Sequence, residues 1–469
     1  MLHFTLSDYI NIQLHTLTHI YILILRRNKI DIYMNKVKSL FCICIAAVGM
    51  QNTEAQTRAE LEIRENPILA TGKYMAYEAP SAPLTPASEG YVPCYISTYA
   101  RHGSRYLTGK DKYEPALTIM EEAEKNNGLT DDGKKTLEIL RQLAEIAENR
   151  YGELTPKGAR QHQELARRMF ENYPEIFTDG AHIDARSTYK TRAFLSMAAA
   201  CIELKGLNPK LNITTDASQH DVYFIKYKNP IYSDSCQHNA NSVFAEAEKR
   251  FVHPERIMKV LFKPEYVSKV KNPGKLECDL FEYHGISQSS GNMPDLSFLF
   301  SGKELFDLWQ LNNFEWYYEQ GPSPLSGGKM PNLARNLLRN IVEAADTALV
   351  SKKPCATLRF GHDTNLAPLV ALMNIDEFNH STADWDSIPQ YYQTYRMIPM
   401  CGNLQLIFFR KKDSNDILVK PLLNEREIHL TGIKTDCFPF YHWKDLRKTW
   451  IELTEKIYLP ELPEDYETD

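Results

Sequence analysis

Three segments of this chain repeat one local plan: a short run rich in β-branched and aromatic residues, a stop at polar residues, then a helical pattern. The first run is YVPCYISTYA, residues 91–100, which stops at Arg101. In the second, a brief run from His182 to Ala185 gives way after Ser187 and Thr188 to a helical stretch with apolar Phe194, Leu195, Met197 and Ala198. The third is CATLRF, residues 355–360, followed by GHDTNLAPLVALMN. Alternating β and α units predict an α/β fold, with a mostly parallel sheet flanked by helices. Ligands of such sheets bind beyond the carboxyl ends of the strands, where these polar residues gather.

Between the units the chain reads as helix. Thr155-Pro156 is a helix start, the hydroxyl able to cap and Pro at the first helical position, with Ala159, His162, Leu165, Ala166 and Met169 near one face. The long excursion before the third unit predicts an inserted, mainly helical cap domain. The expected layout is an α/β core at about 85–110, 152–210 and 350–450, and a cap at about 111–151 and 220–345. CGNLQLIFFR and DILVKPLLN read as two later strands, and LPELPEDYETD as a loose acidic tail.

Before the core, the order of lysines, an apolar stretch and a small residue at Ala55 marks 34–55 as a secretory signal peptide. Residues 1–33 read as an upstream extension from a misplaced start codon. The expected destination is the periplasm or the exterior, with no membrane insertion once the signal is removed. Seven cysteines would remain in the mature chain, at wide spacing and without a Cys-x-x-Cys zinc pattern, so no disulfide framework and no metal or other cofactor is expected. A formal net charge of -6, with no long basic block, argues against nucleic acid as a partner. A small anion remains compatible, because a local cluster of arginines can sit on an acidic protein.

The densest chemical signal is Arg101-His102-Gly103-Ser104-Arg105 at the end of the first strand. Two guanidinium groups around an imidazole suit a phosphate dianion: the arginines grip oxygens and a ring nitrogen faces phosphorus. The surrounding positive charge disfavours imidazolium and keeps the His102 lone pair available. His362-Asp363, at the end of the third strand, supplies what that loop lacks. A carboxylic acid at Asp363 can protonate a departing alkoxide and then take a proton from the attacking water, while His362 holds a phosphoryl oxygen. Asp363 or Asn365 could alternatively cap the helix that starts there. Arg186 or Arg192, six residues apart, could complete a cage on the phosphoryl group, and spacing does not choose between them. Lys110, Lys112 and Asn365 are candidate substrate contacts; the two lysines could equally form a solvated face.

YARHGSRY at 99–106, GELTPKGARQ at 152–161, RSTYKTRAFLSMAA at 186–199 and GHDTNLAPL at 361–369 together resemble, in order, the histidine acid phosphatase branch of the histidine phosphatase superfamily. That branch includes phytases, glucose-1-phosphatases and multiple inositol polyphosphate phosphatases. The resemblance implies an α/β core with a helical second domain, His102 as covalent nucleophile, Arg101 and Arg105 on phosphate, His362 assisting and Asp363 as proton donor. It selects Arg192 over Arg186 as the third phosphate ligand. RHGSRY is similar to the inositol polyphosphate phosphatases, but those typically carry His-Ala-Glu where this chain has His362-Asp363-Thr364, as bacterial phytases and glucose-1-phosphatases do. Leu107 also stands where Pro is common.

The expected function is therefore a cofactor-free phosphomonoesterase working through a phosphohistidine, acting on an inositol phosphate such as phytate. A glucose-1-phosphatase or broad-specificity acid phosphatase is the alternative. Phosphotransfer between metabolites fits poorly with export, and a non-catalytic binder of phosphate compounds would have no use for a nucleophile and an acid. Oligomeric state is not readable from the sequence.

Overall fold

The computed structural model describes residues 57–290, 295–351, 353, 355–412 and 414–462. The expected signal peptide at 34–55 and the extension before it lie outside the described residues, as does the end of the acidic tail. Among the described residues no helix is long and apolar enough to cross a membrane.

All three strand-to-helix units form and enter one sheet. Its strands are β1 (Tyr91–Arg101), β2 (His182–Ser187), β3 (Asn212–Asp216), β4 (Cys355–Gly361), β5 (Asn403–Lys411), β6 (Ile417–Leu423), β7 (Arg426–Glu427) and β8 (Tyr441–His442). The order is β3-β2-β4-β1-β5-β6-β7, with β8 also paired to β6. The half that carries the three units, β3-β2-β4-β1, is parallel as expected. The later strands extend it antiparallel and make the whole sheet mixed. The cause is local: only residues 412–416 separate β5 from β6, too few for the crossover that parallel pairing requires.

Helices cover both faces of the sheet. In chain order the helices of the sheet and of the excursions include α1 (Glu114–Lys125), α2 (Asp131–Ala147), α3 (Pro156–Asn172), α4 (Thr191–Leu207), α5 (Pro273–Ser287), α6 (Gly302–Gln320), α7 (Arg335–Ser351), α8 (Asp363–Leu372) and α9 (Trp443–Lys456). Strand β1 shows how the sheet is buried on both sides. Ile96 and Ala100 join the apolar cluster of α3 and α4, whereas Tyr95 and Tyr99 join that of α7, α8 and α9. This is the two-residue alternation of a central strand. In α4 the large residues Phe194 and Leu195 are 44% and 42% exposed; small Ala193, Ala199 and Ala200, with Met197 and Leu204, make its buried side. A second cluster unites the helical excursions, with Leu137 and Leu140 of α2 packed among Leu276, Leu280 and Trp309 of α5 and α6.

Thr155 caps α3 as expected. Its Oγ1 accepts from the Gly158 amide at 3.2 Å, with Pro156 at the first helical position. Register then sets the position of the site. Arg101 is level with Gly361, and Ser187 with Phe360, so the three strands end side by side.

Candidate active site

Level strand ends bring residues 101–105, 187–192 and 361–365 together at the carboxyl end of the parallel strands. The backbone of His102 is pinned from both sides: its amide donates to the Gly361 carbonyl at 2.9 Å, and its carbonyl accepts from the Cys401 amide at 2.9 Å. Gly103 is required by close approach. A Cβ there would stand 2.3 Å from the carbonyl oxygen of Gly158 in the first turn of α3. The Gly103 amide donates to Ser196 Oγ at 3.1 Å and the Ser104 amide to Gln161 Oε1 at 2.9 Å. His162, which burial holds neutral down to about 4, places Nε2 3.1 Å from the Arg101 carbonyl. The second and third sequence motifs thus build the floor under the first. Gly103→Ala is expected to cost about 1–3 kcal/mol through forced displacement of α3. A thermal melt would check this, with the midpoint falling and activity falling with it.

His102 is 1% exposed. Its Nδ1 lies 2.9 Å from the Gly103 carbonyl, which can only accept, so Nδ1 carries the proton and Nε2 keeps its lone pair. Burial, then the charges of Arg101 and Arg192, hold the ring well below the usual histidine range. The His362 ring lies 5.5 Å away, centroid to centroid. Its amide donates to the Tyr99 hydroxyl at 3.1 Å, and its Nε2 is 3.0 Å from Thr188 Oγ1. Burial and the neighbouring Arg192 push His362 down to about 3, so both rings are neutral.

Arg101 is fully buried. One guanidinium nitrogen donates to the carbonyls of Lys73 and Ile398, and Nη2 pairs with Asp363 Oδ2 at 2.6 Å. Asp363 starts α8, with Oδ1 accepting from the Thr364 amide at 2.9 Å. Burial raises its pKa, but the opposing charges of Arg101 and Arg105 prevail and hold the carboxyl at about 2. Arg105 donates to the Tyr106 carbonyl at 2.8 Å and lies over the Tyr74 ring. Arg192, in the first turn of α4, is lowered to about 10 by burial and by Arg105. The Nε–H groups of Arg101, Arg105 and Arg192 are buried without an acceptor. Buried donors without acceptors, on three arginines whose charges all act on the His102 ring, suit an oxyanion.

The two arginines that spacing leaves open have different surroundings. Arg186 is surrounded by Asp184, Asp216 and Asp221 at 2.9, 3.1 and 3.2 Å, whereas the charge of Arg192 acts on His102 and His362. Arg192→Ala is therefore expected to lower kcat/KM for every phosphate ester by about 10²- to 10³-fold. Arg186→Ala should leave kcat/KM within a few-fold of wild type and change the melting curve instead. Steady-state kinetics and a melt on both variants check the pair.

Among the weaker candidates, Asn365 Nδ2 donates to the Tyr227 carbonyl at 3.2 Å, and its Oδ1 is buried without a partner. Lys110 is engaged in an exposed ion pair with Glu114 at 3.0 Å. Lys112 is exposed on the same turn, its carbonyl accepting from Tyr283 at 2.8 Å. Two other lysines have charges that reach the site and were not singled out by sequence reasoning. The charge of Lys73 acts on Asp363, and its ammonium lies over the Tyr74 and Trp316 rings. Buried Lys226 donates to the Tyr189 hydroxyl at 2.9 Å, and its charge acts on His362.

The family described as histidine phosphatase superfamily (branch 2) matches residues 97–424. Multiple inositol polyphosphate phosphatase 1 of Gallus gallus is 24% identical over 361 residues, 71% of this chain and 77% of that protein. Among solved structures, the multiple inositol polyphosphate phosphatase of Bifidobacterium longum in complex with inositol hexasulfate aligns at a TM-score of 0.68 with 20% identity, covering 81% of this chain and 97% of that one. The phytase from D. castellii aligns at 0.61 with 12% identity, covering 87% and 90%. At these identities the structural likenesses show a shared fold.

Proposed function

The chain belongs to branch 2 of the histidine phosphatase superfamily, the histidine acid phosphatases, and from that premise we propose that it hydrolyses inositol phosphates such as phytate through a phosphohistidine at His102. The observation that carries this reading is the neutral His102 ring, with its Nε2 lone pair free, together with the buried, unpartnered Nε–H donors of three arginines whose charges act on it. Arg101, Arg105 and Arg192 bind the phosphate oxygens of the ester. His102 Nε2 attacks phosphorus as the ester P–O bond breaks, and the departing alkoxide takes a proton from Asp363. Water then attacks the phosphohistidine, its proton passes to the Asp363 carboxylate, and inorganic phosphate leaves with the His102 lone pair restored. His362, whose Nε2 is engaged with Thr188, is left to offer Nδ1–H to a phosphoryl oxygen.

In this scheme an acid that rests at about 2 must be protonated when the ester departs. Two effects achieve this. A bound phosphate spends the guanidinium charge that depresses Asp363, leaving burial, which raises its pKa. A phosphate monoester with a second pKa near 6 also arrives at pH 5 as a monoanion and can bring the proton with it. Consequently kcat/KM is expected to fall about tenfold per pH unit above roughly pH 6, where the incoming ester is a dianion. A pH profile that stays flat to pH 8 contradicts the assignment.

The inositol phosphate reading draws on the similarity to multiple inositol polyphosphate phosphatases and a phytase and on the charges of Lys73 and Lys226, which add to the arginines and suit a ligand carrying several phosphates. A sugar 1-phosphate is the second reading, favoured by Asp363-Thr364 standing where inositol polyphosphate phosphatases typically carry Ala-Glu. We further propose that the helical excursions at about 111–151 and 220–345 form a cap domain and that the protein is exported. A product-resolved assay on phytate and glucose 1-phosphate near pH 5 tests the substrate. Sequential loss of phosphates from phytate supports the first reading, and release from glucose 1-phosphate alone the second.

A further inference from the structure

At the other end of the sheet, the loop entering β8 gathers Asp436, Cys437 and His442, with a carboxylate oxygen, a thiol sulfur and an imidazole nitrogen all within 4.8 Å of one another. His442 Nε2 lies 3.3 Å from Asp436 Oδ1. That separation matches the edge of a tetrahedron around an ion with bonds of about 2.0 Å, which is the zinc–nitrogen and zinc–oxygen distance. On its far side, His442 Nδ1 lies 3.3 Å from Asp416 Oδ1, and the other Asp416 oxygen accepts from the Tyr91 hydroxyl. A carboxylate on Nδ1 fixes the imidazole tautomer and turns the Nε2 lone pair outward, as in metal-binding histidines, whose other ring nitrogen donates to a carboxylate. Cys437 is not in a disulfide. Its amide donates to Thr435 Oγ1, whose hydroxyl donates to the Phe440 carbonyl at 2.6 Å, so the loop already holds its turn.

We propose that Asp436, Cys437 and His442 bind one divalent cation of the zinc class, with Asp416 as the carboxylate that orients His442 and water at the fourth position. Thiolate, imidazole and carboxylate together select zinc or cobalt over magnesium or calcium. Binding deprotonates the Cys437 thiol, and the proton goes to solvent. The role follows from position. Tyr91 opens β1 and Arg101 closes it, so the ion lies roughly 30 Å along the strand from the His102 loop. It clips the 435–440 loop to the sheet and takes no part in phosphoryl transfer.

The test uses the whole purified protein, stripped with a chelator and titrated with cobalt(II). One equivalent should produce thiolate-to-cobalt charge-transfer absorption in the near-ultraviolet together with tetrahedral d–d bands. Cys437→Ser should abolish the near-ultraviolet band. Asp416→Asn, which keeps all three ligands, should retain the band and weaken zinc binding by about 10- to 100-fold. Zinc should raise the melting temperature of wild type and not of Cys437→Ser, while phytate hydrolysis stays the same with and without the ion. No near-ultraviolet band at one equivalent of cobalt, or a band that survives in Cys437→Ser, overturns the proposal. These readouts do not depend on whether the His102 site is a phosphatase.

Discussion

His102→Ala is expected to lower kcat for phosphate release by roughly 10⁴- to 10⁶-fold, the scale seen when a nucleophile that works with partners is removed. Binding should survive, because the guanidinium groups that would hold the oxyanion are anchored independently of the ring: Arg101 on the Lys73 and Ile398 carbonyls and Arg105 on the Tyr106 carbonyl. Calorimetric titration with inorganic phosphate should therefore give a Kd within about tenfold of wild type, since neutral ring contacts contribute far less than charged ones. Equal turnover by the two proteins would remove His102 from the chemistry. Lost turnover together with lost binding would point to a collapsed site.

Asp363→Asn is the second large effect, and its signature depends on the leaving group. For an alkyl phosphate such as phytate, kcat should fall about 10²- to 10⁴-fold, because an alkoxide must then depart without a proton. An aryl ester such as p-nitrophenyl phosphate needs no such help, so its first step should be nearly unchanged and a burst of nitrophenol should precede slow turnover. A uniform loss on both esters would make Asp363 a structural residue. The ion pair with Arg101 also links to pH. A carboxyl held at about 2 gives the ligand-free protein stability that is full above the unfolded value near 4 and is lost as pH falls toward 2. Asp363→Asn should flatten that acid limb in a melt.

Much of this site was legible because each contributing strand ends abruptly in the residues that matter. Arg101, Ser187 and Gly361 close β1, β2 and β4, and in a parallel sheet such ends lie together. The Arg186 and Arg192 ambiguity had a partial answer in the sequence: Asp184 and Arg186 are two apart on a strand and share a face, which favours pairing between them. Lys73 and Lys226 gave no signal. One precedes the first strand and the other follows a short helix in the long excursion, and only tertiary packing brings their charges to Asp363 and His362. The antiparallel half of the sheet was readable from the short link between β5 and β6, yet the alternation of β and α units dominated the reading. The Asp436, Cys437 and His442 cluster escaped for another reason. Its spacing fits no zinc pattern, and its orienting carboxylate, Asp416, lies in the link that precedes β6.

In the proposed reaction the phosphoryl group passes through His102. Rapid quenching of wild type during turnover of labelled phytate, followed by peptide mapping, tests it most directly. An alkali-stable, acid-labile phosphohistidine is expected on the peptide that contains His102 and is expected to be absent from His102→Ala. Label on any other residue, or full turnover with no labelled peptide at any quench time, would contradict it.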